Sequence, residues 1–445
     1  MKGAHPIHGA AQTLERLGTL PGGPELLAEA RRREDVALVG GAVRDLLLGH
    51  WPRELDVTVA ADAAGLAETL AAAISPSERA YGRVVAPVLH ERFRTASLRW
   101  AYGRIDVAEL RAESYPSPGA LPDVRPGSVE EDLARRDFTI NAISLPLGAE
   151  GVGLLSVDGA LEDLAAGTLR VLHERSFRDD PTRILRLARY AARLRFTIET
   201  HTRRLAEEAL ADGALSTVSG GRVGAELLLA LGESDARATL GTLEQLGVLE
   251  ALGFAAPFDD ELAASAEALL PRDGRREALL LAVALLRGAG SAAGGRGALE
   301  LLDELEVAGV TRDRVLAAAS GATELAERLA RPVKGRDGPA AALTLLDGPP
   351  VEAVALAGAL AARERPAAAQ AVGDWLTRAR HVRLEIDGND LIAAGVPEGP
   401  QVGARLAVAL RRKREGALAG RAQELRAALD GEPHPDHSDR RCTET

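Results

Sequence analysis

The chain has 445 residues, of which 46% are hydrophobic and 3% aromatic, and its formal net charge is −11. This length allows about two to four domains, whose cores must be packed mainly from alanine, leucine and valine. The acidic balance excludes a general polyanion binder, so any nucleic-acid surface must be a local basic patch. The single cysteine, Cys442, excludes an internal disulfide framework and a cysteine zinc site.

The sequence indicates neither a targeting segment nor a membrane-spanning segment. The N-terminus lacks the charged and apolar pattern of a signal peptide. The most apolar run, residues 278–286, is about half as long as a membrane span. We therefore expect a soluble, cytoplasmic protein. Residues 1–35 form a lead-in with a predicted helix over 24–33, and the polar residues 431–445 are predicted to be disordered.

The most informative stretch is VGGAVRD at residues 39–45, which the acidic residues Glu54 and Asp56 follow closely. An apolar run enters the glycine pair and a helical pattern leaves it. Glycines let backbone N–H groups approach a phosphate, and the N-terminus of a helix favours negative charge. Residues i and i+2 of a strand share a face, so Glu54 and Asp56 project together. Carboxylates beside a phosphate cradle suit Mg²⁺, which indicates metal-assisted chemistry on a nucleoside triphosphate.

Each of these features has a simpler alternative when it is taken alone. A glycine pair at a strand end is more often only a turn, and two acids at i and i+2 are usually a solvated strand face. In this order along the chain, however, the glycine pair and the two acids together favour a functional site. Further strands are predicted over 93–101 and 105–110, and Asp106 on the second is a candidate third acid. An exposed acid on an edge strand is an equally good interpretation of Asp106.

Two further clusters of arginine and acid follow. The proline- and glycine-rich residues 111–135 are predicted to form a long loop ending in a short helix. Next, 135–137 (RRD) places two guanidinium groups beside an acid, which suits triphosphate oxygens but is also typical of a surface ion-pair cluster. Asp180 and Pro181 predict a helix start, with the acid as N-cap. One face of this helix carries Arg183, Arg186, Arg189 and Arg193, which alone is also compatible with a solvated basic face.

Taken together, these motifs resemble the class II tRNA nucleotidyltransferases, the CCA-adding enzymes and bacterial poly(A) polymerases. The resemblance is carried by VGGAVRDLLLG at 39–49, the acidic pair, RRDFTINA at 135–142 and DDPTR at 179–183. The last matches the EDxxR element of the family, with aspartate in place of its leading glutamate. Softer matches at 220–227 and 384–403 extend the resemblance over residues 36–428.

The resemblance implies an α+β fold. A nucleotidyltransferase head of the DNA polymerase beta type, with a mixed β-sheet and helices, is followed by an all-α neck, body and tail. The predicted segments are an N-terminal lead-in at 1–35, the catalytic head at 36–150, a nucleobase-recognising neck at 151–235, a helical body at 236–345, a tRNA-binding helical tail at 346–430 and a disordered C-terminal tail at 431–445.

It also implies roles for individual residues. Glu54 and Asp56 hold Mg²⁺ in a two-metal site, and Asp106 completes the catalytic set. Asp180 and Arg183 read the base edge: the acid accepts the exocyclic amino group that adenine and cytosine share, which excludes guanine and uracil. Arg222 and Glu226 receive only a structural role. The implied nucleotide contacts are Gly40, Gly41, Arg44, Asp45, Arg136, Asp137, Asn141, Asp180, Arg183, Arg186 and Arg189.

The implied function is template-independent addition of CMP, CMP and AMP to the tRNA 3′ acceptor end from CTP and ATP. A-adding or CC-adding partial enzymes and poly(A) polymerases share these motifs and stay open as alternatives. A non-catalytic tRNA-binding protein is a further alternative, because Glu54 stands where the family usually has aspartate. The basic run 411–414 is a candidate phosphate contact. Neither a membrane nor a protein partner is implied.

Overall fold

The computed structural model describes residues 7–74, 86–90, 94–148, 153–254, 257–286, 297–331 and 345–430. The chain divides into two compact units, Met1–Gly253 with Glu304–Glu306, and Phe254–Asp303 with Val307–Thr445. The predicted disordered tail at 431–445 lies outside the described residues. Within them, none of the helices is long and apolar enough to cross a membrane.

The first unit is organised around a mixed β-sheet. Its first nine strands are β1 (Ala37–Val39), β2 (Leu55–Val59), β3 (Val88–His90), β4 (Thr95–Trp100), β5 (Gly103–Glu109), β6 (Arg111–Ser114), β7 (Asp123–Pro126), β8 (Ile143–Pro146) and β9 (Leu155–Ser156). The described strands of the main sheet lie in the order β3-β4-β5-β2-β1-β8-β9. Strands β2 and β5 run parallel, and the other neighbours are antiparallel.

Alternation of buried and exposed residues explains how the sheet packs. Along β4, Ala96 and Leu98 are buried, whereas Thr95, Ser97 and Arg99 between them are at least partly exposed. Successive strand residues point to opposite faces, so one face packs on the core and the other stays open. The open face is the one that carries the site.

Helices complete the first unit, and one of them, α4 (Ala63–Ala73), packs against strands β4 and β5 of this sheet. They are α1 (Ala10–Leu17), α2 (Gly23–Ala30), α3 (Gly41–Leu47), α4 (Ala63–Ala73), α5 (Val129–Ala134), α6 (Ala160–Ala166), α7 (Ser176–Asp179), α8 (Thr182–Leu194), α9 (Thr200–Ala211), α10 (Gly220–Leu231), α11 (Ala236–Gln245) and α12 (Val248–Ala251). Two short parallel strands, β10 (Thr168–Leu169) and β11 (Thr197–Ile198), pair beside α8.

The segment predicted as a long loop is largely a β-hairpin. Strands β6 and β7 pair antiparallel, and α5 follows as the short helix that the sequence predicted. Prolines normally disfavour strands because they lack the N–H that a ladder needs. Here Pro116, Pro118 and Pro122 lie in the connection, and Pro126 ends β7, so the ladder keeps its donors.

After residue 254 the described chain is helical and contains no strand. Its helices are α13 (Asp260–Leu269), α14 (Arg276–Leu285), α15 (Ala298–Glu304), α16 (Gly309–Ala330), α17 (Val351–Ala362), α18 (Ala367–Thr377), α19 (Gly388–Ala393), α20 (Pro400–Arg414) and α21 (Arg421–Asp430). A sheet-bearing N-terminal part and a helical remainder confirm the predicted α+β class.

Half of the basic run at 411–414 is occupied by ion pairs. Lys413 pairs with the buried Glu424 on α21, and Arg414 pairs with Asp347 at 2.7 Å. Contact of the run with RNA phosphates stays a prediction, and it would fall mainly to Arg411 and Arg412.

Candidate active site

Three carboxylates from two parallel strands form the centre of the site. Asp56 on β2 lies directly opposite Asp106 on β5, and Glu54 immediately precedes β2. One oxygen from each of the three lies within 4.8 Å of the others. Such a set of hard oxygen ligands fits Mg²⁺. The structure thus brings Asp106 to the acidic pair, although the sequence left its role open.

Burial and mutual repulsion make this cluster electrostatically unfavourable by itself. Burial and the neighbouring charge of Glu54 raise the pKa of Asp56 to about 7, against the opposing effect of Arg136. Arg104 compensates part of the charge by donating to Glu54 at 2.9 Å and to Asp106 at 2.6 Å. A divalent cation would remove the remaining repulsion.

Arg104 is a site residue that sequence reasoning missed. It lies two residues before Asp106 on β5, so both side chains share one strand face. This i, i+2 relation to a candidate catalytic acid is the signal that could have identified it.

The glycine turn brings its backbone against an arginine. Gly40 has φ +68°, and a Cβ built there would lie 2.5 Å from Nη1 of Arg136. Arg136 donates to Asp132 at 2.9 Å, and its buried Nε has no hydrogen-bond partner among the described residues. Arg136 therefore lies across the turn and keeps an unused N–H donor, as a phosphate-binding arginine requires.

We expect Gly40→Ala to destabilise the protein by about 1–3 kcal/mol, because its backbone conformation is nearly exclusive to glycine. The new methyl group would also displace Arg136. Thermal unfolding followed by circular dichroism measures the change. Gly41→Ala is the matched control, since a Cβ there meets nothing closer than Arg44 at 3.5 Å. Equal unfolding temperatures for the two variants would show that the turn tolerates a side chain.

A buried polar network lies behind this turn. Arg44 is 1% exposed and donates to Asp45 and to Asn141, both at 2.6 Å. Its guanidinium carbon lies 5.1 Å from the ring centre of Tyr190, and Asp45 also accepts from Arg193 at 2.8 Å. Fully paired charges of this kind hold side chains in one arrangement. These contacts indicate support for the site, and direct nucleotide contact by Arg44 and Asp45 stays a prediction.

Asp137 connects that network to helix α8. It accepts from Asn141 at 2.9 Å and from Arg186 at 2.6 Å. Burial alone would raise its pKa, but the charge of Arg186 and the hydrogen bond from Asn141 hold the pKa of Asp137 well below its usual range. Asp137 is therefore ionised at neutral pH and fixed between two site elements.

The arginine face of α8 points into the first unit and not into solvent. Arg183 is 5% exposed and Arg189 is 9% exposed. Glu226 on α10 pairs with Arg186 at 3.4 Å and with Arg189 at 3.3 Å. The alternative of a solvated basic face is therefore wrong. Glu226, which received only a structural role from the sequence, holds two arginines that were predicted to contact the triphosphate.

The two predicted base readers, Asp180 and Arg183, are held in place by hydrogen bonds to neighbouring protein groups. Helix α8 begins at Thr182 with Pro181 at its N-cap position, so the predicted N-cap role of Asp180 is wrong. The Asp180 carboxylate nevertheless accepts the backbone N–H of Thr182 at 3.1 Å. The same oxygen of Asp180 accepts from Arg222 at 3.0 Å. Arg183 donates to Ser176 Oγ and to the carbonyl of Arg135, both at 2.8 Å. Both side chains are thus oriented before any nucleotide arrives.

Arg222 was also underestimated from the sequence. Besides Asp180 it binds the carbonyl of Gly119, in the connection of the β6–β7 hairpin, at 3.0 Å. Its contacts lie 42 and 103 residues away, so no local pattern could have revealed them.

On the base-reading role that the resemblance implies for Asp180, we expect Arg222→Ala to raise KM for CTP and ATP about fivefold, because a loosened Asp180 costs roughly 1 kcal/mol of binding energy. The maximal rate should change little, since Arg222 touches no reacting atom. Arg222→Lys should recover part of the loss. Steady-state kinetics on the purified variants measures how the loss divides between KM and kcat. A fall in kcat with unchanged KM would contradict this role.

Most of these side chains, but not Arg222, border one cavity of about 900 Å³. This volume lies in the range of small-molecule sites. Of the predicted site residues, the cavity is bordered by Gly41, Arg44, Asp45, Glu54, Asp56, Asp106, Arg136, Asp137, Asn141, Asp180, Arg183, Arg186 and Arg189. Gly40 acts through its backbone beneath Arg136.

Comparison with known proteins gives the same family as the motifs. The Poly A polymerase head domain family matches residues 36–171. The A-adding tRNA nucleotidyltransferase of Geobacter sulfurreducens is 43% identical over 216 residues, which is 48% of this chain and 24% of that protein. The chain matches only between 24% and 53% of the length of three such A-adding relatives.

The matches that extend over nearly the whole chain include a solved structure and a curated relative. The solved Thermotoga maritima CCA-adding enzyme complexed with tRNA_CCA has a TM-score of 0.71 and 26% identity, covering 95% of this chain and 98% of that one. The CC-adding tRNA nucleotidyltransferase of Deinococcus radiodurans is 33% identical over 416 residues, 90% of this chain and 91% of that protein. Identity sustained over this length shows that the chain belongs to the family of tRNA nucleotidyltransferases and bacterial poly(A) polymerases.

Proposed function

We propose that the protein adds nucleotides to the 3′ end of tRNA without a template, using CTP and ATP. The observation that carries the proposal is the cluster of Glu54, Asp56 and Asp106 in the same cavity as Asp180 and Arg183. A cation-binding set and a base-reading pair in one cavity support transfer of a selected nucleotide. In its full form the reaction adds CMP, CMP and AMP.

In this reaction the 3′-hydroxyl oxygen of the tRNA bonds to the α-phosphorus, the bond to the β-phosphate oxygen breaks, and pyrophosphate leaves. Glu54 and Asp56 would hold Mg²⁺, and Asp106 would accept the hydroxyl proton. Bound by these carboxylates, Mg²⁺ would supply Lewis-acid stabilisation of the developing charge. Arg136 at the glycine turn binds leaving phosphate oxygens, with Arg186 and Arg189 as further candidates.

Selectivity arises from Asp180 and Arg183. One carboxylate oxygen of Asp180 is occupied by Thr182 and Arg222, and the other has no hydrogen bond among the described residues. The unoccupied oxygen accepts the exocyclic amino group of cytosine or adenine, while Arg183 donates to the ring nitrogen. Guanine and uracil present a carbonyl at that position and are rejected.

A CC-adding enzyme is the second candidate, because the Deinococcus relative that matches most of the chain carries that name. A-adding enzymes and poly(A) polymerases share the same head motifs. A non-catalytic tRNA-binding protein is less well supported, since the Glu54 oxygen does reach the carboxylate cluster.

A 3′-extension assay tests these candidates. tRNA transcripts ending before CCA, after C and after CC are incubated with Mg²⁺ and with CTP, ATP or both, and the products are sized on a sequencing gel. Three residues added to the bare end establish full CCA addition. Addition that stops after two residues when both CTP and ATP are present, with no extension of the CC-ended tRNA by ATP, establishes a CC-adding enzyme. Extension of only the CC-ended tRNA with ATP establishes an A-adding one. Binding without any extension would refute nucleotidyl transfer.

A further inference from the structure

The sheet face that carries the catalytic carboxylates continues past them onto β4 and β3. Ser97 on β4 lies directly opposite Asp106, and His90 on β3 lies directly opposite Thr95. Side chains of directly opposed residues point to the same side of a sheet. His90, Thr95 and Ser97 accordingly border the same cavity as the carboxylates. None of these three residues has a role in the nucleotide site described above.

The strand order places the carboxylates between two different surfaces. Strand β1, which leads into the glycine turn, lies on one side of β2, whereas β5, β4 and β3 follow on the other. Arg136 lies across the turn, on the β1 side. In phosphoryl transfer the attacking and leaving oxygens are roughly in line, on opposite sides of the phosphorus. If pyrophosphate leaves toward Arg136, the attacking hydroxyl arrives from the side of β4.

Arg99 adds a positive charge to that side. It lies two residues after Ser97 on β4, on the same face, and is directly opposite Arg104. Arg104 is neutralised by two carboxylates, whereas Arg99 makes no ion pair with any described residue. An anion beside Arg99 would therefore be stabilising, and RNA carries a phosphate at every nucleotide.

We propose that His90, Thr95, Ser97 and Arg99 form an acceptor face that binds the 3′-terminal nucleotides of the tRNA. Arg99 contacts a backbone phosphate, and the hydroxyls of Thr95 and Ser97 hydrogen-bond to the terminal ribose. The imidazole of His90 contacts the terminal base. Ser97 lies next to Asp106, which places the 3′-hydroxyl beside the acid that accepts its proton. This inference rests on the proposed nucleotidyl transfer, and it specifies the side from which the RNA enters.

The test measures tRNA binding without turnover. Arg99→Ala and Ser97→Ala are compared with the wild-type protein, using CC-ended tRNA and the same tRNA lacking its last few nucleotides. Affinities are determined by fluorescence anisotropy over a range of salt concentrations, and CTP binding by calorimetry. Arg32→Ala, which removes an exposed arginine outside the sheet, is the matched charge control.

For Arg99→Ala we expect about three- to tenfold weaker binding of the CC-ended tRNA and a salt slope reduced by about 1. Ser97→Ala should also weaken it, with CTP affinity unchanged in both variants. The shortened tRNA should bind the wild-type protein, Arg99→Ala and Ser97→Ala with equal affinity. Equal losses for both tRNAs, or unchanged affinity in both variants, would overturn the acceptor face. Because no turnover is needed, a failed extension assay would refute the proposed function separately.

Discussion

Asp56→Asn is expected to reduce nucleotide addition by on the order of a thousandfold while tRNA binding persists. Asp56 lies opposite Asp106 within the carboxylate cluster. Its carboxylate would bind the same cation as those of Glu54 and Asp106. Losing one hard oxygen ligand removes several kcal/mol of transition-state stabilisation, and each 1.36 kcal/mol is tenfold in rate, so the effect is roughly a thousandfold. Single-turnover extension with saturating Mg²⁺ measures it.

Three further variants separate metal binding from general damage. The rate of nucleotide addition should fall nearly as far in Glu54→Ala. Glu54→Asp, in contrast, keeps a carboxylate in the position where the family usually has aspartate. Asp212→Asn, an exposed acid that pairs only with Arg178 in the described structure, is the control and should stay active. Addition that survives in Asp56→Asn would exclude Asp56 from the metal site.

Asp180→Asn is expected to lower kcat/KM for CTP and ATP by about 5- to 150-fold, the range of one base-discriminating contact. The amide replaces an acceptor oxygen by a donor, so incorporation of UTP and GTP should rise relative to CTP and ATP. Extension assays with each nucleoside triphosphate offered singly measure both effects.

The neighbouring acid provides the control for this variant. Asp179 accepts from Arg175 at 3.2 Å, so Asp179→Asn should leave nucleotide selectivity unchanged. If both variants lost selectivity to the same degree, the cause would be a distorted helix start. If Asp180→Asn kept its preference, base reading would have to be assigned elsewhere in the cavity.

The hairpin at β6 and β7 illustrates the limit of local sequence reasoning. Its prolines predicted a loop, because a proline inside a ladder removes a donor. The structure avoids that cost by placing three prolines in the connection and one at the end of β7. Whether a proline falls inside or beside a ladder depends on strand register, which composition does not encode.

The sequence by itself determined the features that depend on near neighbours. The glycine turn at Gly40, the adjacent acids Glu54 and Asp56, and the arginine periodicity of α8 follow from residue type and short spacing. These are consequences of backbone sterics and of the two side-chain periods. Together with the other family motifs they predicted the family, and every predicted site residue except Gly40 borders the cavity.

Only the tertiary structure decided which distant residues meet. The register of β2 with β5 places Asp106 against Asp56, and the packing of α10 brings Arg222 to Asp180. Arg44 binds Asn141 across 97 residues of chain. Such contacts are selected by how elements pack on a shared core, where register and helix rotation are set by many apolar contacts at once. No short stretch of sequence contains that information.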